Sequence, residues 1–260
     1  MHRVTAQDGT SIAYDRLGSG PALILVGGAT ADRSHHAPLA DELAGHFTVY
    51  NYDRRGRGDS GDTPPYAVER EIEDLAALME AAGGAAHLYG ASSGGALALE
   101  AAAAGLPVAR LAVYEVPYDL SEDGGRRRRE YAERLGALLA EGRRGEAFAL
   151  FMRLSGASEE MVEQAREAPS WAAREAVAPT LAHDAALLGD GRPPLDRLAR
   201  VHCPTLVATG GGGSGGCSFE EAADAVAGVL PVPERVVVED QTHLVEPKAL
   251  APVLIRFFRP

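Results

Sequence analysis

Cysteine is almost missing from this 260-residue chain. Cys203 and Cys217 are the only two, and neither sits in a CxxC or Cys/His spacing, which argues against a disulfide framework and against a zinc site. Basic charge is also short. With 25 basic against 37 acidic residues the chain carries a formal charge of −12, the wrong sign for a nucleic-acid or anionic-membrane surface. No apolar run approaches the roughly 20 residues of a membrane span. The N-terminal stretch "MHRVTAQDGTSIAYDRLG" has no apolar h-region, so the expectation is a soluble cytoplasmic protein with no nucleic-acid or membrane partner. The glycine run "GGGGSGG" lacks the lysine and the spacing of a phosphate loop. The arginine runs 126–129 and 143–144 are short and flanked by glutamates, as solvated helix faces are. Neither a metal nor a cofactor is expected. There is no internal repeat, and nothing in the pattern sets an oligomeric state.

What is present is ample core material, 46% hydrophobic residues, laid out as alternating strands and helices. "RVTA" and "SIAYDR" read as a hairpin turned at Asp8-Gly9. "ALILVGG" is a continuous apolar run, the mark of a strand buried on both faces. A short helix is expected at Pro38–Ala44, then the strand "FTVYNYD". Val68, Ile72, Leu75 and Met79 recur on one face of a helix over 67–81. "AAHLYGA" and "ARLAVYEVP" are further strands, separated by a helix that stops at Gly105. From 119 to 200 no convincing strand occurs and the composition is helical. Strand and helix then resume as "PTLVATG", a helix over 220–230, "RVVVED" and a final helix containing Ala249–Phe258. This order predicts an α/β fold with a mostly parallel, doubly wound sheet. The core comprises 1–118 and 201–260. Residues 119–200 form an inserted helical lid over the carboxyl ends of the strands, where such sheets bind ligands.

"YGASSGG" carries the most specific chemistry. Gly90-Ala91-Ser92-Ser93-Gly94 matches G-x-S-x-G between a strand and a small-residue helix, the setting that motif needs. A sharp turn there holds the serine in a strained conformation, and glycines at minus two and plus two let backbone pass close by. The bland alternative is an ordinary serine helix cap. Ser93 is a rival hydroxyl, but it lacks a glycine at its own minus-two position. A nucleophilic serine needs a base and an oxyanion site. His243, in "EDQTHLVEP" after the last strand, is placed to be the base. His2, His46 and His87 lie in or beside strands, His183 is in the inserted segment, and His202 flanks a strand. His35-His36 are the rival pair: they follow the third strand and could line the pocket, but the reading preferred is of solvated residues at a helix start. Backbone N–H groups of Ser93 and Ala29, with Gly28 the near alternative, would hold the oxyanion after "LVGGAT".

These features together resemble the α/β-hydrolase fold superfamily over nearly the whole chain. "YDRRGRGDS" is similar to the family's D-x-R-G-x-G-x-S turn at Asp53, Arg55, Gly56, Gly58 and Ser60. The resemblance implies Ser92 as nucleophile, His243 as base, and Ala29 and Ser93 as oxyanion donors. Two positions depart from the family pattern. Gly27-Gly28 stands where many members have His-Gly. After the seventh strand, where the family's G-x-x-D carries the acid that orients the histidine, Gly210-Gly211-Gly212-Gly213 supplies none. The acid is therefore sought elsewhere, and Glu115 in "VYEVP" sits where some relatives carry it, at the exit of strand six. Asp119 is the alternative in that region. Glu220 and Glu221 have a plainer role as charges at a helix N-terminus, and Asp240 lies only three residues before the histidine; the remaining alternative is that there is no triad.

The expected activity is that of a serine hydrolase acting on an ester, lactone or thioester of a small, largely apolar substrate through an acyl-enzyme. Trp171 in the lid and Gly28 are expected to contribute to substrate binding. Two alternatives share the fold: a cofactor-free lyase or cyclase, and a non-catalytic receptor for a small ligand.

Overall fold

The computed structural model describes residues 1–213 and 219–259; Cys217 lies outside the described residues. Among the described residues eight strands form one sheet: β1 (His2–Thr5), β2 (Ser11–Leu17), β3 (Ala22–Val26), β4 (Thr48–Tyr52), β5 (Ala86–Ala91), β6 (Val108–Tyr114), β7 (Thr205–Gly210) and β8 (Pro233–Val238). Their order is β1-β2-β4-β3-β5-β6-β7-β8. β2 pairs antiparallel with β1 and β4, and the remaining neighbours are parallel.

The apolar runs explain the layering. Successive strand residues point to opposite faces, so a strand with helices on both sides must be apolar throughout. In β3, Ile24 and Val26 join one core with Leu75, Leu78 and Met79 of α2 (Val68–Ala81) and Leu97 and Leu99 of α3 (Ser93–Ala103). Leu23 and Leu25 join the opposite core with Leu39 and Leu43 of α1 (Arg33–Leu43) and Leu250, Leu254 and Phe258 of α11 (Pro247–Phe258). α10 (Phe219–Val229) lies on the first face through Ala222 and Val226.

Between β6 and β7 the chain forms α4 (Gly124–Ala140), α5 (Arg144–Leu154), α6 (Glu159–Glu167), α7 (Trp171–Val177), a short 3-10 turn, α8 (Leu181–Leu188) and α9 (Leu195–Leu198). Tyr131, Leu135, Leu138, Phe148 and Leu181 give these helices a core of their own, and Ala29, which follows β3, packs against it. No helix among the described residues is long and apolar enough to cross a membrane.

Two sequence expectations need correction. α1 starts five residues before Pro38, because Asp32 caps it by accepting the Ser34 N–H; the proline is accommodated inside the helix. His36 is not solvated: it is buried against Tyr89, while His35 stays exposed.

Candidate active site

The exit of β5 turns sharply into α3, and Ser92 takes the turn at φ 54°, ψ −128°. This is a costly conformation for a residue with a Cβ. Its side chain makes no capping bond to the helix it begins, which removes the cap reading of the motif. The flanking glycines are required by space. A Cβ at Gly90 would lie 2.4 Å from the Gly94 carbonyl oxygen, and one at Gly94 would lie 2.3 Å from that of Val26. Ser93 is buried, and its hydroxyl donates to Asp184 at 2.7 Å. The rival hydroxyl is therefore already engaged.

Glu115 is reached directly from this turn. The Ser92 N–H donates to the Tyr114 carbonyl at 2.9 Å, and the Glu115 N–H donates to that of Ala208 at 3.0 Å. Glu115 follows β6 at φ 46° and is 2% exposed. One carboxylate oxygen accepts the Gly210 N–H at 2.9 Å and the other lies 2.8 Å from His243 Nδ1. A carboxylate this deeply buried must be paired, and His243 and the Gly210 N–H are partners for it. Asp119 instead accepts from Ser121 and Arg127. Glu220, Glu221 and Asp240 are exposed.

The loop carrying His243 is seated on the glycines after β7. Gly212 N–H donates to the Gln241 carbonyl at 2.7 Å, and the Tyr114 hydroxyl to that of Thr242 at 2.6 Å. A Cβ at Gly210 would stand 2.2 Å from the Gln241 carbonyl oxygen. The Phe219 ring stacks on the imidazole with 5.0 Å between centroids and 8° between planes. The stretch that lacks an acid is thus the bed of the histidine loop.

Gly28 lies against the serine, since a Cβ there would be 3.1 Å from Ser92 Cβ and 3.7 Å from Ser92 Oγ. Ala29 follows in a turn closed by the Ala31 N–H on the Gly28 carbonyl, with Thr30 at φ 61°. Trp171 packs edge-on against Phe148, 5.8 Å between centroids, under the Arg166 guanidinium. Both Ala29 and Trp171 border the apolar core of the helical segment. The structure therefore gathers Gly28, Ala29, Ser92, Ser93, Glu115 and His243 at the carboxyl end of the sheet and leaves Trp171 among the helices.

Beside this cluster lies a buried ionic network that the sequence reading missed. Arg54 donates to both Glu71 oxygens, at 2.7 and 2.6 Å, and to Asp184 at 2.9 Å. Arg57 donates to Asp184 at 2.7 Å. All four side chains are buried. Burial alone would push the Asp184 carboxyl up, but Arg57 and Arg54 outweigh it and hold the group at about 2. Glu71, raised by burial and pulled down by Arg54, also ends below the usual carboxylate range. The missed signal was positional. Glu71 falls three residues after Val68 and four before Leu75, and Asp184 three after Leu181 and four before Leu188. Both sit on stripes that are otherwise apolar.

An uncapped serine on a strained turn, an imidazole engaged at Nδ1 by a buried carboxylate, and nearby glycine-rich backbone are the parts from which acyl transfer is built. The sequence matches the alpha/beta hydrolase family over residues 23–253, and the chain belongs to that family. It is similar over 99% of its length, at 51% identity and a TM-score of 0.90, to the whole chain of an alpha/beta hydrolase from Sphaerobacter thermophilus. A thermophilic esterase from Thermogutta terrifontis, with malate bound, is 28% identical at a TM-score of 0.75, with 99% of this chain and 97% of that one covered. N-formylmaleamate deformylase of Pseudomonas putida is 36% identical over 122 residues, 45% of this chain and 44% of that protein. The chain spans less than half the length of the curated relatives it matches.

Proposed function

We propose that the protein hydrolyses a carboxylic ester, lactone or thioester of a small, largely apolar substrate through an acyl-enzyme on Ser92. The observation that carries this reading is the 2.8 Å contact between His243 Nδ1 and Glu115. An imidazole whose Nδ1–H is given to a carboxylate presents a lone pair on Nε2, the tautomer a general base requires. In this reading Nε2 takes the Ser92 proton as Oγ attacks the substrate carbonyl. The N–H groups of Ala29 and Ser93 receive the oxyanion, and the imidazolium returns its proton to the leaving alcohol or thiol. Water, deprotonated by the same Nε2, then attacks the acyl carbon and releases the acid and free Ser92. Helices α4 to α9, within 119–200, serve as the lid, and their apolar core beside Ala29 favours an apolar acyl group. The similarity to an esterase and to a deformylase is in keeping with acyl-group hydrolysis.

The test is covalent labelling with a fluorophosphonate probe, followed by hydrolysis of short acyl esters. Wild-type protein is expected to label on Ser92. Ser92→Ala should abolish both labelling and turnover, and His243→Ala should slow both by at least about a thousandfold. Protein that binds small ligands yet neither labels nor hydrolyses would replace this reading with a receptor or a lyase.

A further inference from the structure

Two carbonyl groups at the exit of β3 are held by guanidinium groups. Arg54 Nη1 donates to the Gly27 carbonyl at 3.2 Å, and Arg57 Nη1 to the Gly28 carbonyl at 2.6 Å. In a trans peptide the C=O of one residue and the N–H of the next point in opposite directions; among the described residues the one cis bond lies elsewhere, at Pro64-Pro65. Holding the Gly28 oxygen therefore aims the Ala29 N–H away from Arg57. Both guanidinium groups are buried, Arg54 at 1% and Arg57 at 2% exposure, so their positions depend on the anions that neutralise them. Glu71 is bidentate to Arg54. Among the described residues, the carboxylate that pairs with Arg57 is Asp184 of α8. The other Asp184 oxygen accepts from Arg54 and from Ser93 Oγ, and Ser93 carries the second N–H assigned to the oxyanion.

We propose that Asp184 is a positioning residue for acyl transfer. Docked on Arg57, Arg54 and Ser93, it sets the orientation of the Ala29 and Ser93 N–H groups, which makes the helices between β6 and β7 part of the transition-state machinery as well as a cover. This proposal rests on the Ser92 acyl-enzyme reading. Its consequence is selective. Donor orientation matters most when the carbonyl oxygen has become an oxyanion, so misalignment lowers kcat and leaves ground-state binding in place.

The experiment compares Asp184→Asn with Asp74→Asn in the full-length protein. Asp74 pairs with Arg55, a buried ion pair of the same kind, and Arg55 donates to Asp74, Asp8 and the Arg70 carbonyl. Asp184→Asn is expected to lower kcat by about ten- to a hundredfold with KM within about twofold. It should weaken a trifluoromethyl ketone, whose hemiketal oxyanion occupies the same place, by the factor lost from kcat/KM. Asp74→Asn is expected to lower Tm comparably and to leave kcat unchanged. If Asp184→Asn does not fold, Arg57→Lys replaces it, because lysine lacks the planar fork with which Arg57 reaches the Gly28 carbonyl through one nitrogen and Asp184 through the other; the same kcat loss is expected. Unchanged kcat, or an equal kcat loss in Asp74→Asn, overturns the proposal. Ser92→Ala is assayed in parallel: activity surviving in that variant overturns the underlying acyl-enzyme reading instead.

Discussion

Glu115→Gln gives the sharpest test of the assigned acid, because the structure dictates which way the new amide must face. The Gly210 N–H donates to one Glu115 oxygen at 2.9 Å, so the glutamine must place its own oxygen there. Reversing it would set an N–H against an N–H. The amide NH2 is then left facing His243 Nδ1, 2.8 Å from the original oxygen. It donates, so Nδ1 must accept, and the imidazole proton is driven to Nε2. That tautomer has no lone pair for Ser92, and the imidazolium also loses its counter-charge. A carboxylate-to-amide change that imposes the wrong tautomer costs about 10⁴ in kcat in the serine-protease case. We expect about 10³ to 10⁴ here, roughly 4 to 5.5 kcal/mol of transition-state stabilisation. Steady-state hydrolysis, the rate of fluorophosphonate labelling and circular dichroism should be measured together, with Asp119→Asn as a control. Kinetics within tenfold of wild type in a folded Glu115→Gln protein would refute the assignment. A comparable loss in Asp119→Asn would transfer the role to that residue.

Two other perturbations follow from the same geometry. Gly210→Ala would place a Cβ 2.2 Å from the Gln241 carbonyl oxygen and 2.6 Å from the Tyr114 hydroxyl. Relieving that overlap should cost about 1 to 3 kcal/mol and shift the histidine loop, so Tm should fall by several degrees and kcat by at least about tenfold; wild-type values for both would contradict the described seat. Burial pushes His36 and His87 down to about 4, with the charges of His35 and Arg110 respectively adding to the effect. Between pH 6.5 and 4 the unfolded chain therefore binds protons that the fold refuses. The stability contribution is intact above 6.5 and is lost as pH falls through that window, by up to about 3 kcal/mol per histidine. Urea midpoints at pH 7 and 4.5 should differ accordingly, and His36→Gln should flatten the dependence; an unaltered slope would count against it.

How much of this was readable in advance depended on how local each signal is. The central strands of the sheet declare themselves because burial on two faces forces continuous apolar runs, as in Ala22–Val26. The β5 turn declares itself because its glycine pattern is local in sequence, although only Gly90 answers to neighbours in the turn, while Gly94 is required by the carbonyls of Val26 and Gly27 at the exit of β3. The start of α1 was misplaced because Pro38 is a stronger punctuation mark than the single Asp32 side chain that caps the helix. The ionic network escaped for a different reason. Asp184 lies 130 residues from Arg54 and 127 from Arg57, and a carboxylate on a helix gives no sign of which distant cation it will meet. What could have been noticed is that three arginines in one loop, Arg54, Arg55 and Arg57, exceed what a solvated turn needs, while acids interrupt the apolar stripes of α2 and α8.

The acid-free loop after β7 shows how a local absence can be legible while its cause is not. The missing carboxylate directed attention to Glu115, on the neighbouring strand. The structure shows how that neighbour reaches the imidazole. β6 and β7 are adjacent and parallel, and the Gly210 N–H at the end of β7 donates directly to the Glu115 carboxylate. Gly213, at the position of the family's aspartate, has φ 75°, and a Cβ built on it meets nothing within 4 Å. A side chain there would start away from the packed backbone of the histidine loop. Gly210 and Gly212, by contrast, are pressed against Gln241. The glycines thus hold the histidine loop close, and that closeness brings Nδ1 within hydrogen-bond distance of a carboxylate based on β6. Loop and acid form one solution: with side chains on the glycines the histidine would be displaced from Glu115, and without Glu115 the closely seated histidine would lose the carboxylate that fixes its tautomer.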